Sequence, residues 1–383
     1  MQADVIVIGG GIAGASAAYF LSGLSSVALI EREEHFGYHS SGRTAAQFTV
    51  GISAGTMRRL AQASRAFLET PPPGFAETPI LTPRGCLTVG RADQEQVLVR
   101  LHDNLTSVGA RSQPVDRAAA LALFPALVAD HVDAGIHEPD AMDIDVNTLL
   151  QGYLRGAKAR GARLIAGAGV TAIERRNGQW VVSFGDKAQE VQTLRAPLLL
   201  NAAGAWVDQV TALAGLAPLG IVPYRRTAFT FAAPTGLDTT GWPHVGNVDY
   251  QWYVKPETGC LMGSLADAVA TEPGDVHPDD LDVAQAIYNI EQDTAFRIGR
   301  PLSRWAGLRS FAADKNPVAG TRPDAEGFFW LAGQGGCGIL TSPAMGQAIA
   351  AIMFGRDLPE ALQGLGVSAA DLSPLRPTLR PSG

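Results

Sequence analysis

Three glycines and one acid carry the first chemical signal in this sequence. Gly9, Gly11 and Gly14 stand in Gly-x-Gly-x-x-Gly spacing, and Glu31 follows Gly11 by twenty residues. A tight turn at Gly9, a bare backbone at Gly11 and close helix packing at Gly14 would together cradle a pyrophosphate. The phosphates would sit on the free N–H groups at a helix start, and Glu31 would accept both hydroxyls of an adenosine ribose. A second set of donors follows in HFGYHSSGRTAAQFTVG, where Ser40, Ser41, Arg43 and Thr44 offer hydroxyls, backbone N–H groups and one cation. This stretch reads either as a second clamp on the diphosphate or as a surface loop with an arginine ion pair. Cys86, Cys260 and Cys337 are too few and too scattered for a disulfide framework or a zinc cluster.

Those residues need elements to hold them. The β-branched run Val5 to Ile8 leads straight into the glycines, an apolar helix carries Ala13 to Leu21, and a second strand from Val27 to Ile30 ends at Glu31. In a chain with 43 glycines among 383 residues the triplet alone is weak; strand, glycines, helix, strand and acid in register make dinucleotide binding the reading. NAD and FAD share this signature. A nicotinamide unit usually continues after the acid into another helix or strand, so the aperiodic loop from His35 tilts the choice towards FAD.

Further on, LLLNAAGAW repeats the opening theme of an apolar strand meeting small residues, and it would place Ala202, Ala203 and Gly204 beside the dinucleotide. The alternative is a tight helix–strand crossing without ligand. Helical spacing marks 57–69, 94–108, 116–124, 147–159 and 279–296, with a last helix over 342–354. Strands are expected over 84–89, 134–138, 142–144, 163–165, 169–175, 180–184, 223–233, 251–263, 305–311 and 328–332, and an irregular arm after Leu358. The fold class is α/β: a Rossmann-like dinucleotide domain (1–48, 145–215 and 304–360) interleaved with an antiparallel-sheet α+β substrate domain (49–144 and 216–303).

A chain this long buries a large core, and its composition, 46% hydrophobic and 17% charged, is that of a soluble globular protein. No apolar run is long enough to span a bilayer, and a strand begins by Asp4, too early for a signal peptide. A cytoplasmic location is expected. The net charge of −7 without a basic stripe argues against nucleic acid as a partner.

Taken together, DVIVIGGGIAGASAAYFLS, HSSGRTAA, LLLNAAGAW, WAGLRSF and GQGGCGI resemble the FAD-dependent amino-acid oxidase and dehydrogenase superfamily. Within it the chain is most similar to the bacterial D-arginine dehydrogenases, through EREEHFGYHSSGRTAA, QGYLRGAKA, PYRRTAF, WYVKP and AEGFFWLAGQGG. The resemblance implies FAD held at Ala13, Glu31, Arg32, Ser40, Ser41, Gly42, Arg43, Thr44, Ala45, Ala46, Gln47 and Val170. The loop Gln334, Gly335, Gly336, Cys337, Gly338 and Ile339 completes that implied set. It places a substrate carboxylate against Arg226 and Arg309 with Tyr253 alongside, and gives the carbonyl of Gly336 to the substrate amine. For Arg309 the plainer alternative is a structural ion pair. Only one of Arg225 and Arg226 can line the site, because strand neighbours face opposite ways.

Departures from that pattern shape the expected substrate. Gln47 and Ile52 stand where those dehydrogenases carry a His and a lid Tyr, and Cys86 replaces the Glu that receives a basic side chain. Burying a guanidinium or ammonium without that partner would cost several kcal/mol, so basic D-amino acids should be poor substrates. Cys86, Ile52, Phe48 and His244 instead suggest a neutral or apolar pocket, His244 also reading as a structural histidine. Sarcosine oxidase relatives attach their flavin through a Cys near the segment that here reads SFAADKN and has none, so FAD is expected to be non-covalent and Cys337 a small filler. The implied reaction is oxidative deamination of a D-amino acid, by hydride transfer from Cα to flavin N5, giving an imino acid that hydrolyses to a 2-oxo acid and ammonia. Alternatives are oxidation of a secondary amino acid or 2-hydroxy acid on the same fold, or a flavoprotein subunit of an electron-transfer complex. The electron acceptor is left open among quinone, dye and oxygen.

Overall fold

The computed structural model describes residues 1–51, 55–185 and 191–379. A six-stranded sheet lies at its centre, in the order Val318–Thr321, Phe328–Ala332, Leu198–Asn201, Val5–Ile8, Val27–Ile30, Arg163–Ile165. All pairings are parallel except that of the edge strand Val318–Thr321. Val5–Ile8, Val27–Ile30 and Phe328–Ala332 are buried at every position. That is why they read as unbroken apolar runs: a parallel sheet is covered on both faces. The helices Ile12–Leu21, Val146–Ala159 and Gly338–Met353 pack on one face of it, with Tyr19, Tyr153 and Phe75 meeting edge to face or tilted within the resulting core.

A nine-stranded sheet forms the second body, running Val269–Ala270, Val222–Ala232, Cys260–Ser264, Tyr253–Glu257, His244–Asn247, Cys86–Gly90, Ala134–Glu138, Gln113–Asp116, with Ser303–Phe311 along the free side of Val222–Ala232. Its pairings are antiparallel except that of His244–Asn247 with Cys86–Gly90. Two three-stranded sheets complete the architecture, one of Gly169–Arg176, Gln179–Gly185 and Gln192–Ala196, the other of Gln47–Phe48, Met142–Ile144 and Leu81–Pro83.

Several expectations change. Residues 251–263 are two strands, Tyr253–Glu257 and Cys260–Ser264, joined at Gly259 with φ +74°. Ser303–Phe311, expected with the dinucleotide domain, pairs from end to end with Val222–Ala232 in the large sheet. The last helix starts at Gly338, four residues early, and runs through Pro343. Proline supplies no N–H for the Ile339 carbonyl, and the Ser342 hydroxyl donates to that oxygen instead, at 2.8 Å. Nor is the tail an irregular arm. Short helices at Glu360–Gly364 and Ala369–Leu372 bury Leu362 and Leu372, and Arg376 reaches back to Asp314 with Nε–Oδ2 at 2.6 Å and Nη2–Oδ1 at 2.9 Å.

Candidate active site

The nucleotide end is built by close approach. Gly9 sits at φ +103° where the first strand turns, and an added Cβ would lie 2.5 Å from the Ala202 carbonyl oxygen; one on Gly14 would lie 1.8 Å from the carbonyl oxygen of Gly9. Only glycine lets strand, helix and the Ala202–Ala203 turn meet here. Glu31 is held at the end of its strand by the N–H groups of Gly10 and Glu33, which donate to Oε2 at 2.6 Å and Oε1 at 2.8 Å. The N–H of Ile12 at the helix start donates to Ser41 Oγ at 2.9 Å.

Between these groups opens a cavity of about 380 Å³. Gly9, Gly11, Ala13, Glu31 and Arg32 line one side, Ser40, Ser41 and Val170 another, and Ala203, Gly204, Gln334, Gly335 and Gly338 close it. Gln334 Nε2 is buried there without a hydrogen-bond partner, a donor that an acceptor-rich ligand would satisfy. The residues therefore fit a dinucleotide. Arg32 lies over the Trp206 ring at 4.5 Å and pairs with Glu33.

The rest of the 40–47 loop ties the cofactor side to the large sheet. Arg43 pairs with Asp275 at 2.6 Å and donates to the carbonyls of Val276 and Ala306. Its cation is thus compensated within the protein rather than reserved for a diphosphate. Thr44 Oγ1 accepts from Ala46 N, Gly42 N–H donates to the His39 carbonyl, and Ala45 packs beside Ala228, Tyr253 and Met262.

Register places the next group. Tyr224 pairs with Arg309 and Arg226 with Gly307, so Arg226 and Arg309 are diagonal neighbours on one face. They meet at a smaller cavity of about 70 Å³, lined also by Thr44, Gly336 and Ile339, which shares Ile12, Ser40, Ser41, Leu308, Gly335 and Gly338 with the larger one. Bare glycines make the room. A Cβ on Gly307 would sit 3.0 Å from the Arg43 carbonyl, and one on Gly336 2.8 Å from Arg309 Nη1. Arg226 Nε donates to the Asp267 carbonyl. Burial and then the charge of Arg309 lower its pKa to about 10, so it stays a cation at neutral pH. Among the described residues neither guanidinium forms an ion pair; the Asp267 carboxylate, held by Thr227, acts on Arg226 from beyond that distance. Arg225 faces the other way and pairs with Asp282 at 2.6 Å.

The same face continues outward. Tyr253 opposes Gly246, and His244, two residues before Gly246, opposes Cys86, which opposes Glu138. Tyr253 and His244 stack at 5.0 Å. His244 is 8% exposed with Nδ1 unpartnered, and burial, helped by Lys255 and Arg84, lowers its pKa to about 3. Gln47 is 6% exposed and neither its Oε1 nor its Nε2 has a hydrogen-bond partner. Burial and the nearby Glu138 push the Cys86 thiol up, while Gln47 and Thr49 beside the sulfur pull weakly the other way. Ile52 lies outside the described residues. Cys337 is buried as the N-cap of the last helix.

Two residues here escaped sequence reasoning. Glu138 is 4% exposed, accepts from Thr49 Oγ1 at 2.5 Å and from Val50 N–H at 3.1 Å, and burial raises its pKa. A carboxyl does stand at this end of the site, one strand over from Cys86. Tyr250, at φ +56°, has 45% of its surface accessible, yet burial of its hydroxyl end and then Cys86, Cys337 and Glu138 raise its phenol, Arg309 opposing them. An alternating strand at 134–138 could have marked Glu138 as inward-facing, but only its partner strand shows what it faces.

The sequence profile of the family described as FAD dependent oxidoreductase (DAO) matches residues 4–352. Among curated relatives, FAD-dependent oxidoreductase domain-containing protein 1 of Mus musculus is 25% identical over 92% of this chain and 81% of its own. Glycine oxidase of Geobacillus kaustophilus is 25% identical over 91% and 92%. The L-proline dehydrogenase structure from P. horikoshii superposes with a TM-score of 0.80 at 20% identity, covering 98% of this chain and 97% of that one. L-alpha-glycerophosphate oxidase from Mycoplasma pneumoniae with FAD bound gives 0.82 at 18%, covering 92% and 95%.

Proposed function

The chain belongs to the FAD dependent oxidoreductase family, and from that premise we propose that it oxidises a D-amino acid with a neutral or apolar side chain, releasing an imino acid that water converts to a 2-oxo acid and ammonia. One observation carries the reading: two cations, Arg226 and Arg309, share a small cavity beside the dinucleotide site, and among the described residues neither forms an ion pair, the charge of Asp267 reaching Arg226 only from beyond that distance. An incoming carboxylate would supply the missing charge through charge-assisted hydrogen bonds, and the Tyr253 hydroxyl on the same face would add a donor. The Gly336 carbonyl would accept from the substrate amine, which must arrive deprotonated so that its lone pair can follow the departing Cα–H bond. That lone pair would form the C=N bond, and bound FAD would supply the acceptor for the hydride leaving with the Cα–H electrons. The protein's own part is orientation and charge compensation; no acid or base is required if the amine is neutral.

The preference for the D enantiomer rests on the motif resemblance, and the neutral side chain on the absence of a free carboxylate at Cys86. Anaerobic mixing with a panel of D- and L-amino acids tests both: D-amino acids are expected to bleach the flavin. Failure of every amino acid and every N-alkyl amino acid to do so would overturn the proposal. A secondary amino acid is the second reading, favoured by sarcosine oxidase subunit beta of Rhizobium meliloti, 25% identical over 91% of this chain, and the same panel decides it.

A further inference from the structure

We infer that Gln47, with His244 beside Cys86, forms the subsite for the substrate's side chain, and that this subsite takes an uncharged group that both donates and accepts a hydrogen bond, a hydroxyl or a carboxamide. This narrows the amino-acid reading above and rests on it. Gln47 presents a buried donor and acceptor without a hydrogen-bond partner of normal geometry among the described residues, its amide lying near the Cys86 sulfur, and His244, which pairs with Cys86 across the sheet, carries another such atom in Nδ1. Buried polar groups are costly to leave unpaired, and three such atoms flanking Cys86 describe the complement of a missing partner. They adjoin the sheet face that carries the two arginines. Arg226, Arg309 and Tyr253 occupy one end of the sheet face, and His244, Cys86 and Glu138 continue it outward. Gln47 reaches the sulfur of Cys86 from the short strand Gln47–Phe48.

The charges around this spot exclude the alternatives. His244 faces Lys255 and Arg84 and stays neutral, so it offers no cation to an acidic side chain. Lys255 is itself held by Asp143 and Glu257. Glu138 spends its oxygens on Thr49 and Val50, and burial favours its neutral form, so it is no ready partner for a basic group. A purely apolar side chain would leave the amide of Gln47 unmet.

The test compares near-isosteric pairs on the holoenzyme by anaerobic flavin reduction: D-threonine against D-valine, and D-glutamine against D-methionine, with D-lysine and D-glutamate alongside. The hydrogen-bonding member of each pair is expected to reduce the flavin with roughly tenfold or greater specificity, because a site built around a polar contact rejects the analogue that lacks it. Gln47→Leu is expected to bring that ratio close to unity, and His244→Phe to lower it. The inference is overturned if the apolar member is equal or better, if D-lysine or D-glutamate is the best substrate, or if Gln47→Leu loosens the flavin without moving the ratio. Should that variant fail to fold, the wild-type ratios alone decide. If no amino acid reduces the flavin at all, the broader reading falls too, a result distinct from reversed pair preferences.

Discussion

Arg309 and Arg225 are the same residue type on adjacent paired strands, and their surroundings set them apart. Arg225 is neutralised by Asp282, whereas Arg309 faces Arg226 across an open cavity. Replacing Arg309 with Met should therefore lower kcat/KM by roughly a hundredfold, about 3 kcal/mol of lost charge-assisted bonding, read from steady-state kinetics with dye reduction. Arg225→Met removes only a partly exposed ion pair and should cost about 1 kcal/mol in unfolding free energy with kcat/KM nearly unchanged. His244 leaves a signature in acid. Its folded pKa of about 3 lies below the ordinary histidine value near 6.5, so the unfolded chain binds the extra proton between them. The stability it permits is complete above pH 6.5 and declines as pH falls towards 3. His244→Phe should flatten that part of the stability profile measured by urea unfolding.

At the scale of elements, sequence reading recovers what is local and loses what is paired at a distance. Val5–Ile8, Gly9, Gly14 and Glu31 are legible because strand, turn, helix start and the acid at the next strand's end lie within one short unit. In the six-stranded sheet, Val5–Ile8, Val27–Ile30, Leu198–Asn201 and Phe328–Ala332 are legible as continuous apolar runs, whereas its edge strand Val318–Thr321 was not expected. His244–Asn247 was missed altogether, since its four residues do not alternate, and its parallel partner Cys86–Gly90 lies far away in sequence. Without that pairing Glu138 has no visible relation to the site. The tail was misread for a similar reason: its order comes from Arg376 and Asp314, not from periodicity. Burial pushes the Asp314 carboxyl up, but Arg376 and Thr378 pull it well below the usual carboxylate range. Arg376→Met would strand a mostly buried carboxylate and should cost about 3 kcal/mol, measured by urea unfolding.

For the molecule as a whole, one ligand is shared between bodies drawn from distant parts of the chain. The cavity that would take FAD is walled by the central sheet, by Ser40 and Ser41, and by Leu308 and Ser310 of the large sheet. FAD that binds the native fold and not the unfolded chain should raise the melting temperature with concentration. With SFAADKN lacking a cysteine, acid precipitation should leave all the yellow colour in the supernatant; colour retained in the pellet would show a covalent link.

The Arg43 clasp on Asp275, Val276 and Ala306 has a temporal side. Because the loop lining the cofactor cavity is also a brace for the strands bearing both arginines, FAD bound against it should stiffen that brace before any acid arrives. Catalysis would then begin with a fixed sequence of arrivals, prosthetic group first and metabolite second. Stripped protein should show poor affinity for a simple carboxylate such as benzoate, and calorimetric titration before and after reconstitution would display that hierarchy directly.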